Sequence, residues 1–205
     1  MQIGLLIAPF PTYCFLMNIY PNIGKLILAS ASPRRRELLG LLGIPFSVVS
    51  PEIEEIPFPD EPPREFAERM AREKASVIKA EADSTLIAAD TIVVQGSTIL
   101  GKPIDAAHAF EMLSGLSGLT HQVITAVCVR HHDVYCVFSV VTAVEFRVLD
   151  PDEIKFYIAT GEPMDKAGAY AIQGGAAHMV RSISGSYTNV VGFPLCELHG
   201  ILRSF

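Results

Sequence analysis

The spacing of apolar positions along the chain changes several times, and each change marks an element. Leu26 to Ala29 is a short continuous apolar run of the kind found in buried strands. Ser32, Pro33 and then Leu38, Leu39, Leu41 and Leu42 before Gly43 predict a helix with Ser as N-cap, Pro as first residue and Gly as stop. Phe46 to Val49 reads as a second strand. From Arg64 to about Ala82 one stripe at helical spacing holds Phe66, Ala67, Met70, Ala71, Val77 and Ile78. Thr85 to Val94 is strand-like, and Gln95 to Thr98 turns it back through Ile99 and Leu100. Asp105 caps a helix to about Leu113. His121 to Val129 and Val134 to Leu149 predict an antiparallel pair, and Asp150-Pro151-Asp152-Glu153 opens a helix that ends near Thr160-Gly161. From Gly161 onward small residues alternate with aromatics and helix signals are sparse. This predicts close-packed strands and loops, with Gln173 ending an apolar strand of Tyr170, Ala171 and Ile172. Strands alternating with helices, with no repeats, indicate one mixed α/β domain.

Several polar residues fall where this pattern disfavours them. Arg34, Arg35 and Arg36 occupy the first turn of a helix, where the macrodipole is positive and N–H groups point outward. They are either solvated surface residues or, with Ser32 at the helix mouth, one side of an oxyanion site, and the preceding strand end favours the site. Lys74 lies inside the apolar stripe of its helix. Either it snorkels to solvent or the stripe borders a ligand cavity. Asp90 interrupts an otherwise apolar strand, which is costly unless the carboxylate meets a cation, a metal or hydrogen-bond donors. A turn aspartate is the alternative, disfavoured by the lack of a flanking Gly or Pro. Lys102, in Gly101-Lys102-Pro103, either faces the same site or is an ordinary loop lysine.

Composition narrows the partners. The chain has 205 residues, half of them hydrophobic, and a net charge of -6. Such a chain has ample core, and its acidity argues against a nucleic-acid-coating surface and for a small phosphorylated ligand met by a few concentrated cations. Cys14, Cys128, Cys136 and Cys196 show no metal-ligand spacing, so thiols in a reducing cytoplasm are expected, with a Cys128–Cys136 pairing across a hairpin as the alternative. Residues 1–24 are apolar but carry no Lys or Arg, and prolines break them. They therefore read as an extension outside a 25–205 domain, with Met17 as an alternative start; neither a secretory signal nor a membrane helix is expected.

Taken together, Ser30-Ala31-Ser32-Pro33-Arg34-Arg35, Ala89-Asp90-Thr91, Gly101-Lys102-Pro103, Ser117-Gly118 to His121, Asp165-Lys166-Ala167-Gly168-Ala169-Tyr170-Ala171-Ile172-Gln173-Gly174 and Gly185-Ser186-Tyr187 with Asn189-Val190-Val191-Gly192 resemble the Maf family of nucleoside triphosphate pyrophosphatases, in order over roughly residues 25 to 200. The Asp165 to Gly174 block is similar to the branch acting on dTTP and UTP, and Ala171 departs from the Gly usual there. The resemblance implies a long twisted central sheet flanked by helices, as in inosine triphosphate pyrophosphatases, with a nucleotide cleft between two lobes. It also implies a homodimer, and Mg²⁺- or Mn²⁺-dependent attack of water on the α-phosphate that releases pyrophosphate. By the same resemblance Asp90 is the general base and faces the metal together with Glu55. Arg35, Lys74 and Lys102 cradle phosphate, and Arg34, Thr91 and Gln173 are linked to base selection. A 7-methyl-GTP pyrophosphatase and a nucleotide-binding regulator of septation are the alternatives. The Asp90, Glu55, Lys74 and Lys102 set favours catalysis.

Overall fold

The computed structural model describes residues 19, 20 and 22–204; Cys14 and Met17 lie outside them. Seven strands form one mixed sheet. β1 (Lys25–Ala29) runs parallel to β2 (Phe46–Val49) on one side and to β3 (Ser84–Gln95) on the other. β5 (Thr120–His131) lies antiparallel to β3, β6 (Val134–Phe146) antiparallel to β5, and β7 (Val180–Ser184) closes the far edge. The short β4 (Thr98–Leu100) folds back on the end of β3.

Among the described residues six α-helices flank the sheet. α1 (Pro33–Gly40) starts where its sequence predicts, with Ser32 Oγ accepting from the Arg35 N–H. It ends at Gly40, and Leu41, expected on the apolar face, is 74% exposed. α2 (Pro63–Ser76) is shorter than the stripe suggests. The Arg130 guanidinium donates to the carbonyls of Ala75 and Ile78, satisfying the orphan acceptors that a helix end leaves. α3 (Ala106–Leu116) and α4 (Pro151–Ala159) begin at the predicted caps, Asp105 and Asp150. The C-terminal third differs most from expectation. Residues 162–179 are mainly 3₁₀ turns, β7 is the one strand there, and α5 (Tyr187–Val191) and α6 (Leu195–Ser204) follow.

Side chains alternate across the sheet, so each strand serves two cores. One face of β3 and β5 packs on α2 through Leu86, Ala88, Ala126 and Cys128. The opposite face is covered at one end by α1 and α6, against Ile87, Ala89, Val127 and Val129. At its other end α3, α4 and the 3₁₀ turns cover Val93, Val123, Val144 and Phe146. These last two cores make two lobes on one face of the long strands. Tyr20 and Ile23 are buried in the first, and Tyr20 Oη lies 2.6 Å from His199 Nδ1, so residues before Lys25 take part in this core. Cys128 and Cys136 contribute to cores on opposite faces, and both are free thiols.

His121 is buried in the second lobe, its Nε2 2.8 Å from Tyr170 Oη, with Phe146 edge-on to the ring. Burial depresses its pKa to about 4. An unfolded chain protonates this imidazole below about pH 6.5, while the folded chain resists until about 4, so the stability is complete above 6.5 and drains as pH falls through that window. One proton corresponds to about 1.4 kcal/mol per pH unit, or about 3 kcal/mol across the window. His121→Gln should therefore flatten the acid limb of unfolding free energy against pH. Parallel limbs for the variant and the parent would remove His121 from the acid response.

Candidate active site

β1 stops at Ala29, opposite Ala88, but β3 continues to Gln95. Past that point the place of β1 is taken by the N-terminus of α1 and by a cavity of about 340 Å³, within the range of small-molecule sites. Asp90 and Thr91 lie on this overhang. Asp90 faces the α2 side with Ala88 and Ile92, and Thr91 faces the α1 side with Ala89. The cavity reaches both. It also brings together Ser32, Arg34, Arg35, Glu55, Lys74, Asp90, Thr91, Lys102 and Gln173, leaving out Arg36 of the residues singled out in the sequence.

On the α2 side, Lys74 is 7% exposed and does not snorkel to open solvent. Its Nζ lies 2.6 Å from Asp90 Oδ1 and 2.7 Å from Glu55 Oε1, so the buried ammonium is matched by two carboxylates. Glu55 comes from the irregular loop 50–62, which Arg69 of α2 holds down. That guanidinium takes Glu61 Oε1 at 2.7 Å, donates to the Ile56 carbonyl at 2.9 Å and stacks 3.8 Å from the Phe58 ring centre. Burial pushes the Glu55 carboxyl up, but the hydrogen bond and charge of Lys74, with the charges of Lys102 and Arg35, outweigh it and hold the group below its ordinary range. Glu55 is therefore anionic at neutral pH.

On the α1 side, Arg35 is fixed from within. Nε donates to the Gly192 carbonyl at 3.0 Å, Nη2 to Thr91 Oγ1 at 2.9 Å and Nη1 to Ser30 Oγ at 3.5 Å. Three of its five N–H groups thus set the plane of the guanidinium, which lines the cavity. Burial lowers its pKa, and Asp90 and Glu55 oppose that shift. The support continues across the sheet. Thr91 Oγ1 lies 3.0 Å from Thr125 Oγ1, Thr125 donates to the Asn189 carbonyl, and Asn189 Nδ2 donates to the Val123 carbonyl and Thr142 Oγ1. Arg34 also lines the cavity; Arg36, two residues on, is exposed and lines a separate, more open depression with Glu37 and Gly40.

The second lobe supplies the opposite wall. Lys102 is exposed at the mouth, in a loop tied down by the Gly168 N–H donating to the Gly101 carbonyl. Gly168 has φ +67°, and a Cβ there would sit 2.9 Å from Val93, so this close approach requires glycine. Asp165 and Lys166 form an ion pair at the wall, and the Lys166 hydrogen bond holds the Asp165 carboxyl below its usual range. Gln173 lies in a turn, not at a strand end as the pattern of its neighbours suggested, because the backbone doubles back with the Gly174 N–H donating to the Ala171 carbonyl. Ala171, where the resemblance leads one to expect Gly, is not among the positive-φ residues, so its methyl costs no backbone strain.

Arg34, Arg35, Lys74, Lys102 and Lys166 line the cavity against Glu55, Asp90 and Asp165. Five cations to three carboxylates, in a chain of net charge -6, make a local site for an anion. Thr125, Asn189 and the Gly192 carbonyl were not evident from the sequence as site support. Thr125 sits in a plain alternating strand, and Asn189 is held by strands 47 and 66 residues away. No group of three or more His, Cys, Asp or Glu side chains suited to a metal occurs among the described residues. Asp90 and Glu55 converge on the Lys74 ammonium, and as hard oxygen donors they would suit Mg²⁺ or Mn²⁺ with substrate phosphates completing the shell. No helix among the described residues is long and apolar enough to cross a membrane.

The chain is similar to several known proteins. The dTTP/UTP pyrophosphatase of Geobacter sulfurreducens is 54% identical over 183 residues, 88% of this chain and 96% of that protein. The dTTP/UTP pyrophosphatase of Yersinia pestis bv. Antiqua is 53% identical over 182 residues, 88% and 92% of the two chains. Among solved structures, a HAM1 protein from Coxiella burnetii aligns with a TM-score of 0.49 and 15% identity, covering 89% of this chain and 100% of that one. The sequence model described as Maf-like protein matches residues 25–205, the whole span from β1 to the C-terminus, and the chain belongs to the Maf family.

Proposed function

We propose that this protein hydrolyses dTTP and UTP to the nucleoside monophosphate and pyrophosphate. The observation that carries the reading is the cation-lined cavity built around the buried Asp90–Lys74 pair and its third member, the half-exposed Glu55. Near full-length relatives named dTTP/UTP pyrophosphatase supply the substrate class. Arg35 and Lys102, with the N-terminus of α1 behind Ser32, bind the triphosphate and meet the negative charge that grows on its oxygens. Asp90 orients a water and accepts its proton as the water oxygen bonds to the α-phosphorus. The bond from that phosphorus to the αβ-bridging oxygen then breaks, and pyrophosphate leaves with the electron pair. Lys74 balances the Asp90 charge from the opposite side. Asp90 and Glu55 would hold a Mg²⁺ or Mn²⁺ ion, which supplies Lewis acidity at the phosphate when bound. Arg34, Thr91 and Gln173 contribute to base selection, and the apolar lining residues Val93, Tyr170 and Ile172 suit a base.

The test is product analysis with Mg²⁺. We expect dTMP or UMP with pyrophosphate, abolished by a chelator and restored by Mg²⁺ or Mn²⁺. Orthophosphate with a nucleoside diphosphate would overturn α-phosphate attack. A homodimer in the cytoplasm accompanies this reading, checked by light scattering and by fractionation. Neither 7-methyl-GTP hydrolysis nor a non-catalytic role in septation is favoured. The relatives at about half identity bear the dTTP/UTP name, and a regulator has no need of a buried carboxylate balanced against cations.

A further inference from the structure

Tyr157 and Glu162 take no part in lining the cavity, yet they fasten both ends of the turn that carries Gln173 into it. Tyr157, on α4, is 2% exposed. Its Oη donates to Glu162 Oε1 at 3.0 Å and accepts from the Ala171 N–H at 3.3 Å. Glu162 in turn accepts from the Gly175 N–H with Oε1 at 3.1 Å and Oε2 at 3.0 Å. The carboxylate packs flat against the backbone between these anchors. A Cβ on Gly174 would fall 1.9 Å from Glu162 Oε1, and one on Gly175 3.1 Å from the Tyr157 ring. Burial first, and then the adjacent Glu162 charge, raise the Tyr157 pKa, so the phenol stays a donor throughout the physiological range. The turn therefore has one side chain at each end, the two bonded to each other, and Gln173 at its middle.

We propose that Tyr157 and Glu162 are positioning residues for base selectivity, holding the 171–175 turn so that its amide meets the base edge at a fixed distance. This rests on the reading that Gln173 contacts the base. An amide discriminates only while its geometry is maintained, because rejection of the wrong base depends on leaving polar groups unpaired. A turn released at Gly175 would let the amide follow any base.

The experiment measures kcat and KM for dTTP, UTP, CTP and GTP in the parent, Gln173→Ala, Glu162→Gln and the double variant. Glu162→Gln keeps the size but loses the charge and one acceptor. We expect it to narrow the ratio of dTTP to GTP kcat/KM by roughly tenfold, mainly through KM for the pyrimidines, with kcat little changed. Gln173→Ala should narrow the ratio similarly, and the double variant no further. Tyr157→Phe, which retains the buried ring, gives the same readout should Glu162→Gln fold poorly. If Gln173→Ala narrows the ratio while both clamp variants lower all four substrates equally, the clamp is structural and the proposal is overturned. If Gln173→Ala leaves the ratio unchanged while the clamp variants narrow it, the Gln173 reading fails and the turn reads the base through another group.

Discussion

Asp90→Asn should lower turnover by about 10²-fold or more while leaving a folded protein, the range expected when a proton acceptor or a metal-facing carboxylate is lost. The fold should survive because the substitution does not strand a buried charge. Lys74 retains its 2.7 Å contact with Glu55, and the Asn carbonyl can still accept from the ammonium. The fall should appear in kcat with KM nearly constant, since the phosphate-binding cations are untouched. Single-turnover product formation, read beside a urea unfolding curve, checks both halves. A folded Asp90→Asn enzyme with parental turnover would exclude Asp90 as the proton acceptor and pass that role to Glu55.

Lys74→Met should have the larger effect on stability. Removing the ammonium leaves Asp90, whose side chain is 6% exposed, buried beside a second carboxylate, and breaking a buried pair typically costs 3–5 kcal/mol. Glu55 is half-exposed and can turn to solvent, which places the loss near the lower end, about 3 kcal/mol. Adding Asp90→Asn to Lys74→Met should recover most of it, because the double variant buries no unpaired charge. Denaturant midpoints at a common m-value measure the cycle. Equal stability of Lys74→Met and the parent would show that water, and not Lys74, balances the Asp90 carboxylate.

What the sequence reveals here follows from how local each signal is. The start of α1 is legible because Ser32 and Pro33 act within one turn, and α3 and α4 are equally plain at Asp105 and Asp150. The end of α2 is not, because the residue that stops it, Arg130, comes from a strand 52 residues away. Asp90 and Lys74 stand out as polar residues in apolar patterns, but that they bond each other, with Glu55 as third member, depends on where α2 packs on the sheet. Arg34, Arg35 and Arg36 look equivalent in sequence, and the 100° step of the helix separates them. The cavity takes the first two and turns the third away. α6 is hard to read because Leu195, Leu198, Ile201 and Leu202 repeat at helical spacing but Gly200 lies within the stretch and Gly192-Phe193-Pro194 precedes it.

The overhang of β3 makes the cavity intolerant of one kind of change above others. Asp90 and Thr91 are consecutive, yet the pleat sends one toward the Lys74 ammonium and the other toward the Arg35 guanidinium. Inserting one residue between Ala88 and Asp90 would carry the carboxylate to the place of Thr91, against Arg35, and deleting one would carry the hydroxyl to the place of Asp90, against Lys74; in either case the other cation loses its partner. Substitutions here can be graded by size and charge, but a frame error of one residue displaces both halves of the chemistry at once. This stretch of strand should therefore accept many single replacements more readily than any change in its length.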